Sequence, residues 1–536
     1  MASGALATES TSHGELALVL HAHLPYVHSS EPGSLEEDWY FQALLECYLP
    51  LLDVLETAAA DPAQRPRLSM GLSPTLLSLL SSRALSERFV PWLAVRQELL
   101  LQAPAGFEAA AADLAQQLSS ASAAWQRCNG NLLPRFQRLQ QAGVLDLLTC
   151  AATHGYLPLL RDSPEAVRAQ LLTAVREHQR LLGVRPQGIW LPECAYYEGL
   201  DRLLVSCGLR YAILDAHGLL HGQPRPRYGV YAPICTPAGM AFFGRDSEST
   251  LPVWSARDGY PGDASYREFH RDLGWDLPEG ELEQRGIGCR RPLGLKLHRV
   301  SSRDCGLDAK QAYEPAAAHA SAQRDAAHYL QGRARHLQHL QNAMERPPLL
   351  VAPFDAELFG HWWFEGPRFL AELFRQAPAS GVGLATLRDT LTRGDNLQLC
   401  QPSPSSWGQG GYHNYWLNDS NAWIIPEWNR ASRAMVARVS RGVGSEEARE
   451  LLNQAGRELL LAQSSDWSFI LRAGTTTELA RERIERHLGR FWQLLGAIDS
   501  GEPLPQGWLE AVQAEDGLFP LINAADWAQI PTTPAG

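Results

Sequence analysis

The stretch "PFDAELFGHWWFEGP", Pro353 to Pro367, sets three carboxylates, a His and two Trp directly behind the apolar run "PPLLVA". Another carboxylate in a similar setting, Glu193, ends the apolar run of "GIWLPECAYYEG" and follows Pro192. Pro fixes its own φ and disfavours helix in the residue before it, so Glu193 is expected on a stiff turn at the mouth of a sheet. A lone acidic residue at a strand end is most often salt-bridged or capping. Two facing one cleft are the minimum apparatus for glycoside chemistry. In a retaining mechanism one must be ionised to attack the anomeric carbon and the other must hold a proton for the leaving oxygen, so their environments must push the two pKa values apart. Composition does not choose among Asp355, Glu357 and Glu365 for the proton donor, although Phe354, Leu358 and Phe359 would desolvate Asp355.

His21 and His23 form a His-x-His on the strand-like run "LALVLHAHLPY", which turns both rings to one face of a sheet. Such a pair suits a sugar contact or a metal ion. The metal reading gives a rival class, a metal-dependent hydrolase such as a carbohydrate deacetylase, with His21, His23, His154 or Asp355 as ligands. The sugar reading is preferred because the carboxylate pair already supplies the chemistry; a hydrogen bond inside the core is the bland alternative. No metal and no cofactor are expected. Of the 16 Trp, several crowd the last third of the chain. Indole faces suit stacking on glucose rings, but for each Trp alone core packing is the better expectation. Trp407 and Trp416 are exceptions, because they sit in the Gly- and Asn-rich "QPSPSSWGQGGYHNYW" rather than on a core face.

These residues need elements to aim them. Short β-like runs recur through the first 390 residues or so: "LALVLHAHLPY", "RLSMGLSPT", "LDLLTCAATHGY", "GIWLPECAYY", "YAILDAHG", "PLLVAPFDAELFG" and "GVGLATL". Helix-like segments separate most of them, which implies parallel strands joined by crossovers. Polar residues at the C-terminal ends of several strands favour a barrel over an open sheet. The region 80–142, rich in Ala, Leu and Gln, reads as a helical insertion. The stretch from Gly222 to Arg291, rich in Pro, Gly and Tyr, reads as an ordered loop system. Beyond residue 399 the pattern turns helical: Ser445 can cap "EEARELLNQAGRELLLA", and Thr475 with Glu478 makes a capping box before "LARERIERHLGRFWQLL". The division is therefore a catalytic α/β domain over 14–398, the insertion within it, and a C-terminal helical domain over 399–536.

A chain of 536 residues exceeds one ordinary core. Net charge −12 argues against a nucleic-acid partner, and no apolar run is long enough to span a bilayer. Nine Cys without a C-x-x-C pair suit reduced thiols, and the first Lys or Arg is Arg65, so a cytoplasmic protein is expected.

The strings "HAHLPYV", "ATHGYLPLL", "GIWLPECAYY", "APFDAELFGHWWFEGP" and "SSDWSFI" stand in the order and rough spacing of glycoside hydrolase family 57. Together with "PRYGVYAPICTPAGMAFFGRDSESTLPVWSARDGYPGDASYREF", the chain resembles the 1,4-α-glucan branching subgroup of that family. The resemblance implies a distorted (β/α)7 barrel, Glu193 as nucleophile and Asp355 as general acid/base. It also implies sugar contacts from His21, His23, His154, Arg267, Trp275, Trp362, Trp407, Trp416 and Asp466. The implied substrate is an α-1,4-glucan whose cleaved chain passes to a 6-hydroxyl. A 4-α-glucanotransferase or an α-amylase-like hydrolase of the same family is the alternative, and a catalytically silent glucan-binding protein is a further one. A loop bearing Tyr228 and Tyr231 is expected to cover the site and exclude water, which would favour transfer.

Overall fold

The computed structural model describes residues 12–28, 32–394, 396–442 and 444–530. Among them are ten strands: β1 (Glu15–Ala22), β2 (Leu68–Leu72), β3 (Leu145–Leu148), β4 (Gly188–Ile189), β5 (Tyr211–Leu214), β6 (Ile234–Cys235), β7 (Ala241–Gly244), β8 (Leu349–Asp355), β9 (Gly383–Leu384) and β10 (Gln398–Leu399). β1 and β8 are apolar almost throughout and buried on both faces, as parallel strands covered by crossovers must be. One sheet runs β3-β2-β1-β8, with β9 also on β1, and the other runs β10-β6-β7-β5-β4. Two narrow seams join them. Between β3 and β4, Trp190 N donates to Thr149 O and Thr149 N to Gly188 O; between β7 and β8, Asp246 N donates to Val351 O. The order β1-β2-β3-β4-β5-β7-β8 thus returns to β1 as a ring of seven strands. Seams this thin make it the distorted barrel expected.

The seventh member was not legible. β7 lies inside the stretch read as a loop system, yet it pairs in parallel with β5 over Tyr211–Leu214. Its run "MAFFG" is short and surrounded by Pro and Gly, so the turn residues hid it. A further correction concerns Tyr228 and Tyr231. Leu349 N donates to Tyr231 O at the N-terminal end of β8, six residues before Asp355. At about 3.3 Å per residue the strand sets that tyrosine roughly 20 Å from the carboxylate, at the opposite end of the barrel. The segment carrying these tyrosines does not cover the site.

Helices Arg83–Leu100, Glu108–Arg127 and Leu133–Gln141 fill the insertion, with Ser82 accepting from Leu85 N at the first N-cap. Leu114, Leu118 and Ala121 bury one face of the middle helix in the same apolar cluster as Leu18, Leu20 and Phe354 of the barrel. Five α-helices follow residue 423 among the described residues: Ile424–Ser440, Glu446–Ala462, Ser465–Ala473, Thr477–Ser500 and Trp508–Asp516. Ser445 caps the second as expected, whereas the fourth begins one residue later than expected, with Thr476 at its N-cap and no side-chain cap bond. Ile484, Leu488, Phe491 and Leu495 line its buried face and share a core with Leu191, Leu204 and Leu214 of the barrel.

That shared core aims a turn at the barrel mouth. The last carbonyls of a helix have no intrahelical partner. Here Trp467 Nε1 donates to Leu461 O at 2.9 Å and Trp428 Nε1 to Ala462 O at 2.8 Å, both indoles being fully buried. They fix the exit of helix Glu446–Ala462, and Ser464, Ser465 and Asp466 follow immediately.

Candidate active site

Asp355 is the last residue of β8, and the ladder sets it opposite His21 on β1. On its other side His21 pairs with Gly71 of β2. A Cβ at Gly71 would stand 2.9 Å from His21 Nδ1 and 3.2 Å from Trp190 Cβ, so only Gly leaves room for the imidazole. The ring stacks flat on Trp190, centroids 4.7 Å apart and planes 5° apart. His21 and His23 face the same way, as the alternation predicted, with rings 11° from parallel.

Glu193 sits on the tight turn Pro192–Cys194 that ends β4. Its backbone has φ 61° and ψ 23°, and Cys194 follows at φ 49°. Consecutive non-Gly residues in the left-handed region are uncommon and cluster where function demands a particular aim. The strain is held by Trp407, whose N–H donates to Glu193 O at 3.0 Å while its Nε1 donates to Glu193 Oε2 at 2.7 Å. Trp407 stands edge-on to Trp190 at 5.0 Å. It is half-buried, and it grips the carboxylate instead of standing clear as an open platform.

The C-terminal turn completes the site. His23 Nε2 donates to Asp466 Oδ1 at 3.0 Å, and the His23 ring stacks on His154 at 4.0 Å. His154 bonds Ser465 Oγ through Nδ1 at 2.8 Å and shares a hydrogen bond between its Nε2 and that of His21 at 3.1 Å. His154 Nδ1 also lies 4.0 Å from Glu193 Oε1.

The electrostatics divide these groups. Burial pushes the Glu193 carboxyl up to about 7, against the pull of the Trp407 hydrogen bond. Asp355 is raised well above the usual carboxylate range, first by burial and then by the charges of Glu357 and Glu193. Among the described residues no donor bonds its carboxylate. The Trp407 donor favours the ionised form of Glu193, and Asp355 has no such donor among the described residues, a difference that suits one carboxylate to attack and the other to hold a proton. Burial opposes charge on both His23 and Asp466, but each overcomes it through the other: Asp466 is held down to about 2 and His23 is raised. His21 and His154 are lowered by burial and stay neutral.

The motif from Pro353 to Pro367 now separates into parts. Glu357 accepts from Tyr48 Oη at 2.5 Å and from His23 N at 3.1 Å, so it braces the His23 strand end. Gly360, at φ 120°, passes so near Glu46 that a Cβ would lie 1.7 Å from Glu46 O. His361 Nδ1 bonds Glu46 Oε2 at 2.5 Å. Glu365 accepts from Arg267 N at 3.1 Å. Asp355 alone of the three acids is left facing outward from a strand end without such a bond.

Three expected sugar contacts stand elsewhere. The Arg267 side chain is 0% exposed: its guanidinium lies 3.9 Å from the ring centres of Tyr313 and Phe364 and pairs with Asp113 of the insertion at 2.6 Å. It fastens the insertion to the barrel and presents nothing to a ligand. Trp416 is 2% exposed and stacks on Tyr156 at 4.6 Å, so the bland core reading holds for it. Trp275, 46% exposed, rides the short helix Leu273–Asp276, where Asp272 accepts from four backbone N–H groups, outside the contact network of the carboxylates. Trp362 is 42% exposed and reaches Trp407 through Trp254, with centroid steps of 6.4 and 5.9 Å. Trp254, with "VW" as its only sequence signal, was missed. So were Trp190 and Ser465, whose roles arise from stacking and from a neighbour's orphan ring nitrogen. Of the ligands in the rival metal reading only His21 and His154 come together, with Cys150 beside them; His23 is taken by Asp466, and Asp355 joins no metal-like cluster among the described residues.

Comparison with known proteins agrees with the fold. The family model described as glycosyl hydrolase family 57 matches residues 17–399, and that of the 1,4-alpha-glucan branching enzyme C-terminal region matches 427–527. A 1,4-alpha-glucan branching enzyme of Thermococcus kodakarensis is 31% identical, over 90% of this chain and 74% of its own. A crystal structure of the family 57 branching enzyme of Pyrococcus horikoshii superposes with a TM-score of 0.87 at 29% identity, covering 98% of each chain. The alpha-amylase AmyC of Thermotoga maritima superposes with a TM-score of 0.89 at 35% identity, covering 97% of this chain and 99% of that one.

Proposed function

From a chain that belongs to glycosyl hydrolase family 57, we propose a retaining transglycosylase that cleaves an α-1,4-glucan and passes the freed chain to a 6-hydroxyl, forming α-1,6 branches. The observation that carries the chemistry is the pair of carboxylates at the barrel mouth, of which Glu193 accepts from Trp407 Nε1 while Asp355 has no donor among the described residues. Glu193 attacks the anomeric carbon while Asp355 gives its proton to the leaving oxygen; Asp355 then takes the proton of the incoming hydroxyl as the glycosyl–Glu193 bond breaks. His23, kept charged by Asp466, favours the ionised Glu193. The neutral His21 and His154 can share hydrogen bonds with a glucose ring beside it. Trp362, Trp254 and Trp407 form an aromatic path to Glu193 along which sugar rings can stack. The reading keeps the barrel at 14–398, with the insertion over 80–142, and treats 399–536 as the helical region that contributes Trp407 and Asp466. No helix among the described residues is long and apolar enough to cross a membrane.

Hydrolysis is the second reading, favoured by the 35% identity to a protein named an alpha-amylase. The carboxylates serve both reactions, which differ only in whether water or a sugar hydroxyl resolves the intermediate. Amylose incubated with the protein separates them: α-1,6 signals in the proton NMR spectrum and a fading iodine stain with few new reducing ends mean branching. Abundant reducing ends without α-1,6 signals overturn the proposal in favour of hydrolysis.

A further inference from the structure

Beneath the nucleophile lies a set of donors that the glucan chemistry leaves unused in part. His21, Cys150 and His154 are all buried, and one ligating atom from each lies within 4.8 Å of the others. We propose that these three residues form an inhibitory site for a thiophilic divalent cation such as Zn2+, reached through the active-site cleft.

The geometry is close to what such an ion demands. A tetrahedral Zn2+ at its usual bond lengths needs two ring nitrogens about 3.4 Å apart and a sulfur about 3.6 Å from each. The two Nε2 atoms stand 3.1 Å apart, and Cys150 Sγ lies 4.0 Å from His21 Nε2. The third side is no longer than 4.8 Å and closes with a modest shift of the sulfur. Two imidazoles and one sulfur are the donor types that select zinc over magnesium or calcium. The His154 ring is already oriented by Ser465 Oγ on its far nitrogen, the kind of outer support that metal-bound imidazoles use. His21 is held by Trp190 and by the gap at Gly71 while its Nδ1 is buried without a partner. Three protein donors leave one coordination position for water.

Binding replaces the His21–His154 hydrogen bond with two metal–nitrogen bonds, the shared Nε2 proton passing to Nδ1 of the ring that carried it, and converts the Cys150 thiol to a thiolate, releasing one proton to solvent. The lone pairs that would meet a sugar hydroxyl are then occupied. The cation is an inhibitor and no part of the reaction, so exhaustive EDTA treatment leaves turnover intact.

Two measurements test this on the full chain. In the first, Co2+ added to the metal-free protein is followed by absorption; a thiolate-to-cobalt charge-transfer band is expected, and it disappears in Cys150→Ser and Cys150→Ala. In the second, Zn2+ inhibition of amylose turnover is titrated, and the concentration for half inhibition rises at least about a hundredfold in Cys150→Ser, given that even outer-shell changes cost 10–100-fold. Basal turnover and circular dichroism of the variants show that they fold. Only the inhibition arm rests on the proposed glucan activity; the cobalt arm does not. Absence of the band in the unaltered protein, or its persistence without Cys150, overturns the proposal, as does Zn2+ inhibition that the variants leave unchanged. The exposed Cys289 supplies the control: Cys289→Ser must leave both signals in place.

Discussion

Replacing Trp407 by Phe removes one hydrogen bond from the nucleophile and leaves most of the ring. The indole Nε1–H donates to Glu193 Oε2 at 2.7 Å, and it favours the ionised carboxylate. A hydrogen bond to a charged group is worth about 1.5–3 kcal/mol. At 1.36 kcal/mol per pKa unit, its loss moves the Glu193 carboxyl up by about one to two units. The starting value is about 7, so the variant titrates near 8 to 9. The direction follows from the chemistry: Glu193 must be ionised to attack, so the acid limb of the rate profile moves to higher pH. The phenyl ring keeps the edge-on contact with Trp190, and the backbone bond from residue 407 to Glu193 O is untouched. The assay is kcat/KM for amylose cleavage across pH 5 to 10, which reports the free enzyme. At pH 6 the variant should lose about ten- to a hundredfold, and the deficit should shrink as pH rises. A stacking role alone would lower kcat/KM equally at every pH. An acid limb that stays where it was, in a folded variant, refutes the claim that Trp407 controls the protonation of Glu193.

Other outcomes follow from the same geometry. Glu193→Gln and Asp355→Asn should each lower turnover by at least ~10²–10⁴-fold, with a thermal transition no lower than that of the unaltered protein. In Glu193→Gln the gain in stability should be larger at pH 8 than at pH 4. The folded-state value near 7 lies above the unfolded one, so the native carboxyl loses stability as pH rises through 7, and the amide does not. Arg267→Met should cost about 3–5 kcal/mol in chemical denaturation, because it strands Asp113 and removes the side-chain donor from Lys296 O, while KM for amylose is unchanged in the folded fraction. Trp416→Ala should likewise cost about 3–5 kcal/mol as a core truncation. The ratio of branches formed to reducing ends released should stay the same, contrary to what its loop position suggested.

What was legible depended on how locally each residue's task is defined. Glu193 and Asp355 could be placed at strand ends because each follows its own apolar run, and Pro192 marked the turn at Glu193; only the family resemblance chose Asp355 over Glu357 and Glu365. The facing of His21 and His23 followed from strand alternation. Arg267 and Trp416 went astray for the opposite reason. "SYREF" and "NYWLN" look like exposed loop, and nothing local tells that Tyr313 and Phe364, or Tyr156, will close over them from distant segments. β7 was hidden by flanking Pro and Gly, although its four residues are what allows β5 to reach β8. The Tyr228 and Tyr231 loop was sent to the wrong end of the barrel because a sequence gives no polarity to a loop until the strands around it are paired. The consequence for function is specific. With those tyrosines near the start of β8, any exclusion of water from the glycosyl–Glu193 intermediate has to come from elements at the other end. The groups found there are Trp254, Trp362 and Trp407, together with the turn Ser464–Asp466 held by two buried indoles. For the proposed reaction, a change at Trp254 should therefore shift the balance between transfer and hydrolysis where a change at Tyr231 does not.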